Sequence, residues 1–406
     1  MDELRPEGSS ARARRSLALI AIAMVALAGS AAVYLWRSKA GALPAKPRPA
    51  AGAPALVEMT PLSEREAWVI LRDNAAPRSV LLHTSDGGAS WRSMFSIDGF
   101  GSLRFSDRRR GVLVTWRPDF QGKPLGMSQV FSTDDGGAHW QSSTQPGVGS
   151  GFAGIPFYLD PDHGWLLAAR PRVPGDQSAQ DVTLWRTVDG GRHWETLFSI
   201  DGGHPFSHGV SGADQLVSVS FQDRDTGWMV TQGTAASAVV YVTHDGGREW
   251  EPVPLPAGLP GVAREDYLYL GDPVVSPGGR GVLPVVDRDT NRTWLYQTAD
   301  GGKSWTNPYF SPGTGVLTIA FVDGSTGWAT ESAAIRVTAD SGQNWVQGTT
   351  LPGGLLFGLV APVSASAAWA QGLQFDPGPV APARWAIFRT NDAGLHWTRL
   401  TQPGLP

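Results

Sequence analysis

Seven aspartates recur in one setting. Asp86, Asp135, Asp189, Asp245, Asp300, Asp340 and Asp392 each sit in Thr-x-Asp-x-Gly-x-x-Trp, closed by Trp91, Trp140, Trp194, Trp250, Trp305, Trp345 and Trp397. A set of carboxylates invites acid–base or metal chemistry, but the spacing argues otherwise. Within so short a box the Asp accepts hydrogen bonds from N–H groups two or three residues on, the Gly supplies a positive φ, and the Thr adds a hydroxyl. The Trp opens the next strand and buries a large ring. The seven boxes are therefore hairpin corners pinned to a core, and none of their residues is assigned a catalytic role.

The remaining chemistry is thin. His204 and His208 form the only close histidine pair, in a Gly/Pro link that cannot present them at helical spacing, so no metal site is expected there. Arg264-Glu265-Asp266-Tyr267 is the densest ionisable cluster of the long connections, and Arg117 with Asp119 stands in another. Arg108-Arg109-Arg110 reads either as a solvated turn or as an anionic contact, to lipid headgroups or to an acidic partner. His139, His193 and His396 fill the box position before Trp, read as a variable surface slot. The chain has no Cys, which excludes disulfides and thiolate metal sites, and no cofactor is expected.

The elements that position these residues follow from the repeat. The box aspartates are 49, 54, 56, 55, 40 and 52 residues apart. A second motif, aromatic-x-Asp-x-x-x-Gly-Trp, precedes the boxes at Tyr158 to Trp165, Phe221 to Trp228 and Phe321 to Trp328, with Val112 replacing the Trp after Phe105. Weaker copies end at Trp68, Val282 and Trp369. Two turn motifs per period define four strands. The shortest unit predicts strands at 317–322, 327–330, 334–338 and 344–348. Seven such units predict an all-β, seven-bladed propeller of four-stranded blades.

The paired motifs resemble the BNR or Asp-box repeat propellers, and are similar in particular to the photosystem II assembly and stability factor family, over about residues 56 to 401. That resemblance implies a propeller used as a docking surface. Sialidases share the boxes, but they pair them with a Phe/Tyr-Arg-Ile-Pro element, three substrate arginines and a Tyr/Glu pair. Here the closest match is Gly154-Ile155-Pro156, without the Arg.

Before the repeats, residues 1–15 are polar and basic, and residues 16–36 run 21 residues without a charge, the length of a transmembrane helix. A cleaved signal peptide is the rival reading, with Ala26-Leu27-Ala28 as an A-x-A site. Residues 37–55 form an Ala/Pro-rich linker, semi-extended and able to hold a domain off a membrane. The expected topology leaves the N-terminus in the cytoplasm and the propeller at residues 56–406 outside, in a single-pass cell-membrane protein. Residues 1–55 hold three acids and eight bases, leaving the repeats with 34 acids against 25 bases, so a nucleic-acid partner is not expected.

In a four-stranded blade the boxes share one rim with the first-to-second turns. The opposite rim carries the long connections 116–128, 170–181 and 372–383 and the links 198–215 and 252–266, and is the expected binding rim. The reading is a non-enzymatic protein-binding or assembly scaffold. The alternative is a carbohydrate-binding protein or sialidase-like hydrolase, with Trp116 and Trp385 as sugar platforms. The two ends of the repeat region each supply a whole blade, so the seam between blades 7 and 1 is expected to close by side-chain packing alone.

Overall fold

A computed structural model describes residues 54–405, apart from 74–75, 77, 117–128, 144–155, 174–175, 203, 205, 212–214, 233–238, 257–267, 288–291, 307–308, 311–315, 332 and 375–383. The expected transmembrane span and residues 37–53 of the expected linker lie outside the described residues, while Ala55, its last residue, already opens the first strand. Among the described residues no helix is long and apolar enough to cross a membrane.

The chain forms seven antiparallel sheets in sequence order, each built from consecutive strands: 55–98, 100–142, 156–200, 215–254, 268–310, 316–347 and 356–399. The first strands of blades 1 and 2, 2 and 3, 3 and 4, 6 and 7, and 7 and 1 approach one another, so they face the centre of the ring. Blade 6 has strands at Val316–Phe321, Gly327–Glu331, Ala334–Thr338 and Val346–Gln347, within two residues of expectation. In blade 5 the inner strand is broken into Leu268–Leu270 and Val274–Val275, both paired to Gly281–Asp287.

No single core fills the molecule. Six apolar clusters of buried residues lie between neighbouring blades. The second-motif Trp is the seam's anchor. Trp68 stacks on Phe105 of blade 2 at 3.7 Å, and Trp165 on Phe221 of blade 4 at 3.6 Å. The indole N–H then crosses as well: Trp68 donates to Gly136 O (3.2 Å), Trp165 to Gly246 O (2.9 Å), Trp328 to Ser364 O (3.1 Å) and Trp369 to Ser63 O (2.9 Å). Each thereby buries a large ring and satisfies its one polar atom.

The last of these bonds joins blade 7 to blade 1. Among the described residues no strand is exchanged between the termini, as expected, but packing is not alone in closing the ring. Thr401 N–H donates to Gly88 O (3.2 Å), as Thr349 N–H does to Gly394 O (2.9 Å) one seam earlier. Trp91 Nε1 donates to Thr401 O and Trp385 Nε1 to Pro54 O, both at 2.8 Å. The closing seam repeats the chemistry of the internal ones because the repeat places the same groups at both edges.

Two expected loops are structured. Residues 170–181 continue the second and third strands of blade 3, Gly164–Val173 and Asp176–Thr187, as a two-stranded ribbon beyond the rim. The link 198–215 makes a small hairpin, Phe206–Ser207 with Val210–Ser211. Its turn folds down the outer wall to the box end of blade 4, where Trp250 N–H donates to His208 O at 3.0 Å. Val210 fills the apolar cluster between blades 3 and 4.

Candidate functional site on the box rim

In all seven boxes the Thr hydroxyl donates to the Asp carboxylate at 2.8–2.9 Å and accepts the N–H of the second Gly at 2.9–3.1 Å. The Asp also takes the backbone N–H of the residue before Trp at 2.8–3.0 Å. That residue is not a free slot. Ser90, His139, His193, Ser304, Asn344 and His396 each bring a side-chain polar atom to the second carboxylate oxygen at 2.5–2.7 Å. A carboxylate accepting three such bonds, out of roughly four acceptor sites, is held as part of its turn. In Asp392 the His396 N–H, with the imidazole and Thr390 hydroxyl, holds the carboxyl at about 2. In Asp135 partial burial pushes upward, and the His139 N–H and imidazole outweigh it to the same end, about 2.

Box 4 departs from this. Glu249 occupies the donor position and cannot donate when ionised. Its carboxylate instead lies 3.1 Å from His208 Nδ1 on the hairpin. His204 lies 3.3 Å from Asp201, so each histidine of the expected pair has its own carboxylate partner.

The rim between the boxes is laced by ion pairs that cross from blade to blade. Arg108 Nε pairs with Glu66 of blade 1 at 2.8 Å, Arg109 Nε donates to Asp134 O at 3.0 Å, and Arg110 pairs with Asp162 of blade 3. The run of three bases is thus engaged in seams 1–2 and 2–3. A shallow polar cleft beside it is lined by Arg110, His139, Gln141, Asp189 and Arg192. At seam 3–4 the pairs loosen: Arg224 lies 3.6 Å from Asp160, and Arg248 lies 3.7 Å from Glu195.

Arg186 stands between them. Its guanidinium lies 5.6 Å above the Trp165 ring, beside Gly246, where a Cβ would come within 2.8 Å of its Nη1. Its Nε is buried without a partner, and it forms no ion pair among the described residues. Burial, and then the like charge of Arg248, draw its pKa down, with Arg224 acting the same way against Glu195 and Asp225. Three arginines, one of them unpaired, therefore share one seam. A guanidinium can pair with a carboxylate in bidentate fashion.

The sequence reading missed Arg186, Arg224 and Arg248. They come from a third strand, a first-to-second turn and a box, and only blade packing unites them. Arg117, Asp119, Arg264, Glu265, Asp266 and Tyr267, the residues expected on the opposite rim, lie outside the described residues. Trp385 is buried and its N–H is taken by Pro54 O, so it offers no sugar platform.

A family model described as photosynthesis system II assembly factor YCF48 matches residues 140–268, which include all of blades 3 and 4. A solved structure of YCF48 bound to D1 peptide is 16% identical with a TM-score of 0.52, over 84% of this chain and 94% of that one. The chain is a BNR-repeat propeller similar to this assembly factor. The propeller fold is also shared with polysaccharide lyase Uly1 (10% identity, TM-score 0.53, 88% of this chain and 94% of that one). An oligogalacturonate lyase from Vibrio parahaemolyticus shares it too (9%, 0.51, 85% and 90%). These likenesses concern the fold alone. No match was found among the curated proteins.

Proposed function

We propose that this BNR propeller is a membrane-anchored, extracytoplasmic assembly scaffold that binds an acidic protein segment on its box rim at the seam of blades 3 and 4, without catalysis. The unpaired Arg186, stacked on Trp165 between Arg224 and Arg248, carries the reading. A guanidinium held against a ring, with no ion pair among the described residues, leaves its terminal Nη groups for a ligand. The likeness to a factor solved with a D1 peptide supports a protein partner over a small substrate.

The chain's path fits tethering. The first strand of blade 1 starts at the rim opposite the boxes, where Pro54 meets Trp385. Residues 16–36 as an anchor would then lie on that side, with the Ala/Pro linker of residues 37–55 spanning up to roughly 60 Å at about 3.1 Å per residue. The box rim faces away from the bilayer in that arrangement.

Crosslinking and pull-down from intact membranes tests the proposal, comparing wild type with Arg186→Glu/Arg248→Glu. A discrete protein that is captured by wild type and lost with the charge reversal is expected, and its capture should weaken with salt. No protein captured by either form would overturn the scaffold reading. A partner indifferent to the reversal would move the site off this seam.

A further inference from the structure

The inner strands of blades 1 and 2, Ala55–Pro61 and Phe100–Phe105, are joined by side chains rather than by a ladder. Thr60 Oγ1 donates to Leu103 O at 3.4 Å, and two residues earlier Glu58 Oε2 accepts the Leu103 N–H at 3.1 Å. Both backbone groups of Leu103 therefore have a partner on blade 1. The other carboxylate oxygen of Glu58, Oε1, accepts Arg104 Nη1 at 2.8 Å and the Ser102 hydroxyl at 3.4 Å. The two ends of this ion pair differ in their surroundings. Glu58 is buried to all but 5%, whereas the Arg104 side chain is 41% exposed and donates also to Leu103 O at 2.9 Å.

A carboxylate sealed in a seam, facing one cation that is itself half in water, is costlier ionised than neutral. Burial accordingly pushes the Glu58 carboxyl up to about 7, against the opposing pull of Arg104, the Leu103 N–H and the Ser102 hydroxyl. Among the described residues Arg104 is the one charged group that acts on it. The inner strand of blade 7, Leu356–Pro362, packs on the other side of the strand and carries no ionisable side chain. Arg72, on the second strand of blade 1, is turned over the Phe100 ring at 5.6 Å. Glu66, with His83 at 3.1 Å and Arg108 at 2.8 Å, forms a separate group towards the box rim of the same seam. Asp272 of blade 5 feels the charge of Arg104 but takes its hydrogen bond from Ser218.

We propose that Glu58 and Arg104 form a proton-operated clasp on the seam of blades 1 and 2, shut when Glu58 is ionised and released when Glu58 takes up a proton from solvent. The two oxygens divide the work. A proton on Oε1 puts a donor where Arg104 Nη1 donates, so the guanidinium is displaced, while Oε2, now a carbonyl oxygen, keeps the Leu103 N–H. The Ser102 hydroxyl can rotate to accept the new O–H. The seam thus stays joined at Leu103 while the long, partly exposed Arg104 side chain turns to water. One proton converts a closed ion pair on the inner strands into a free cation.

The linkage has a definite sign. With its folded value above the unfolded value of 4.5, Glu58 makes the folded state bind the extra proton between about pH 4.5 and 7. The stability it contributes is full below that window and is lost as pH rises through it. Between pH 5.5 and 8.5 the unfolding constant should rise on the order of tenfold or more.

The test is urea unfolding of the full chain at pH 5.5 and 8.5, with Glu58→Gln, Arg104→Gln and the double variant. Glu58→Gln, uncharged and of nearly equal shape, should remove most of the pH dependence beyond that left by the histidines. Arg104→Gln should enlarge it, because Glu58 loses the cation that favours its charge. The Glu58–Arg104 coupling should be about tenfold or more at pH 8.5 and less than about threefold at pH 5.5. Coupling of equal size at the two pH values overturns the clasp. So does a wild-type pH dependence that survives Glu58→Gln intact.

Discussion

Replacing Trp369 by Ala tests whether the ring is closed as described. Trp369 is fully buried, packs edge-on to Trp91 with centroids 6.3 Å apart, and donates to Ser63 O across the seam of blades 7 and 1. Truncating a buried Trp costs about 3–5 kcal/mol through lost transfer energy and the cavity left behind. About 1 kcal/mol of that is the indole hydrogen bond. Trp328 makes the same bond across an internal seam, from blade 6 to blade 7, and is equally buried. If the closing seam is one more seam of the same kind, Trp328→Ala and Trp369→Ala should cost the same within about 1 kcal/mol, the usual scatter of such substitutions. Trp369→Phe, which keeps most of the ring, should cost about half as much. Urea titration followed by far-ultraviolet circular dichroism and Trp fluorescence gives both quantities, with an unchanged m-value confirming that stability alone has moved. A cost below about 1 kcal/mol for Trp369→Ala beside the full cost for Trp328→Ala would mean that blades 7 and 1 are not joined in solution. It would refute the closure argument.

Other outcomes follow from single positions. Ala393 holds the left-handed conformation (φ 58°) that glycine takes in five other boxes, so Ala393→Gly should raise stability by about 1 kcal/mol in the same titration. Gly87→Ala should lower it by about 1–2 kcal/mol, because φ is 78° and the new Cβ meets Arg389. Asp135 and Asp392 are held near 2, below the unfolded carboxyl value. Between about pH 4 and 2 the unfolded chain therefore binds more protons, and stability present above pH 4 is lost as pH falls. Asp392→Asn should flatten that acid limb in a pH titration of unfolding. Glu249→Ser gives box 4 the donor found in the other six and removes the partner of His208. Hydrogen exchange at Ser207 to Ser211 should then quicken while the blade 4 strands stay protected.

The boxes were legible because every bond that makes them lies within eight residues, and a turn so defined needs no partner from afar. Seven copies, with a second motif between them, were enough for seven blades of four strands and for the absence of an exchanged strand. The position before the box Trp is variable and exposed, as read, but the role its occupants share was missed. Its occupants, Ser, His, Asn and one Glu, look unrelated until all but the Glu are seen as donors to one carboxylate oxygen. That signal was in the sequence, and the exception, Glu249, marked where the hairpin docks.

What only the tertiary structure decided is everything that depends on how one blade faces the next. Arg108, Arg109 and Arg110 drew attention as a run, yet each is spent on a neighbouring blade or turn, while Arg186, unremarkable in its strand, forms no ion pair among the described residues. A repeat sequence specifies the turn and the strand through local bonds. The rotation of sheet upon sheet, which sets the partner and the solvent of each charge, is fixed by packing across the seams.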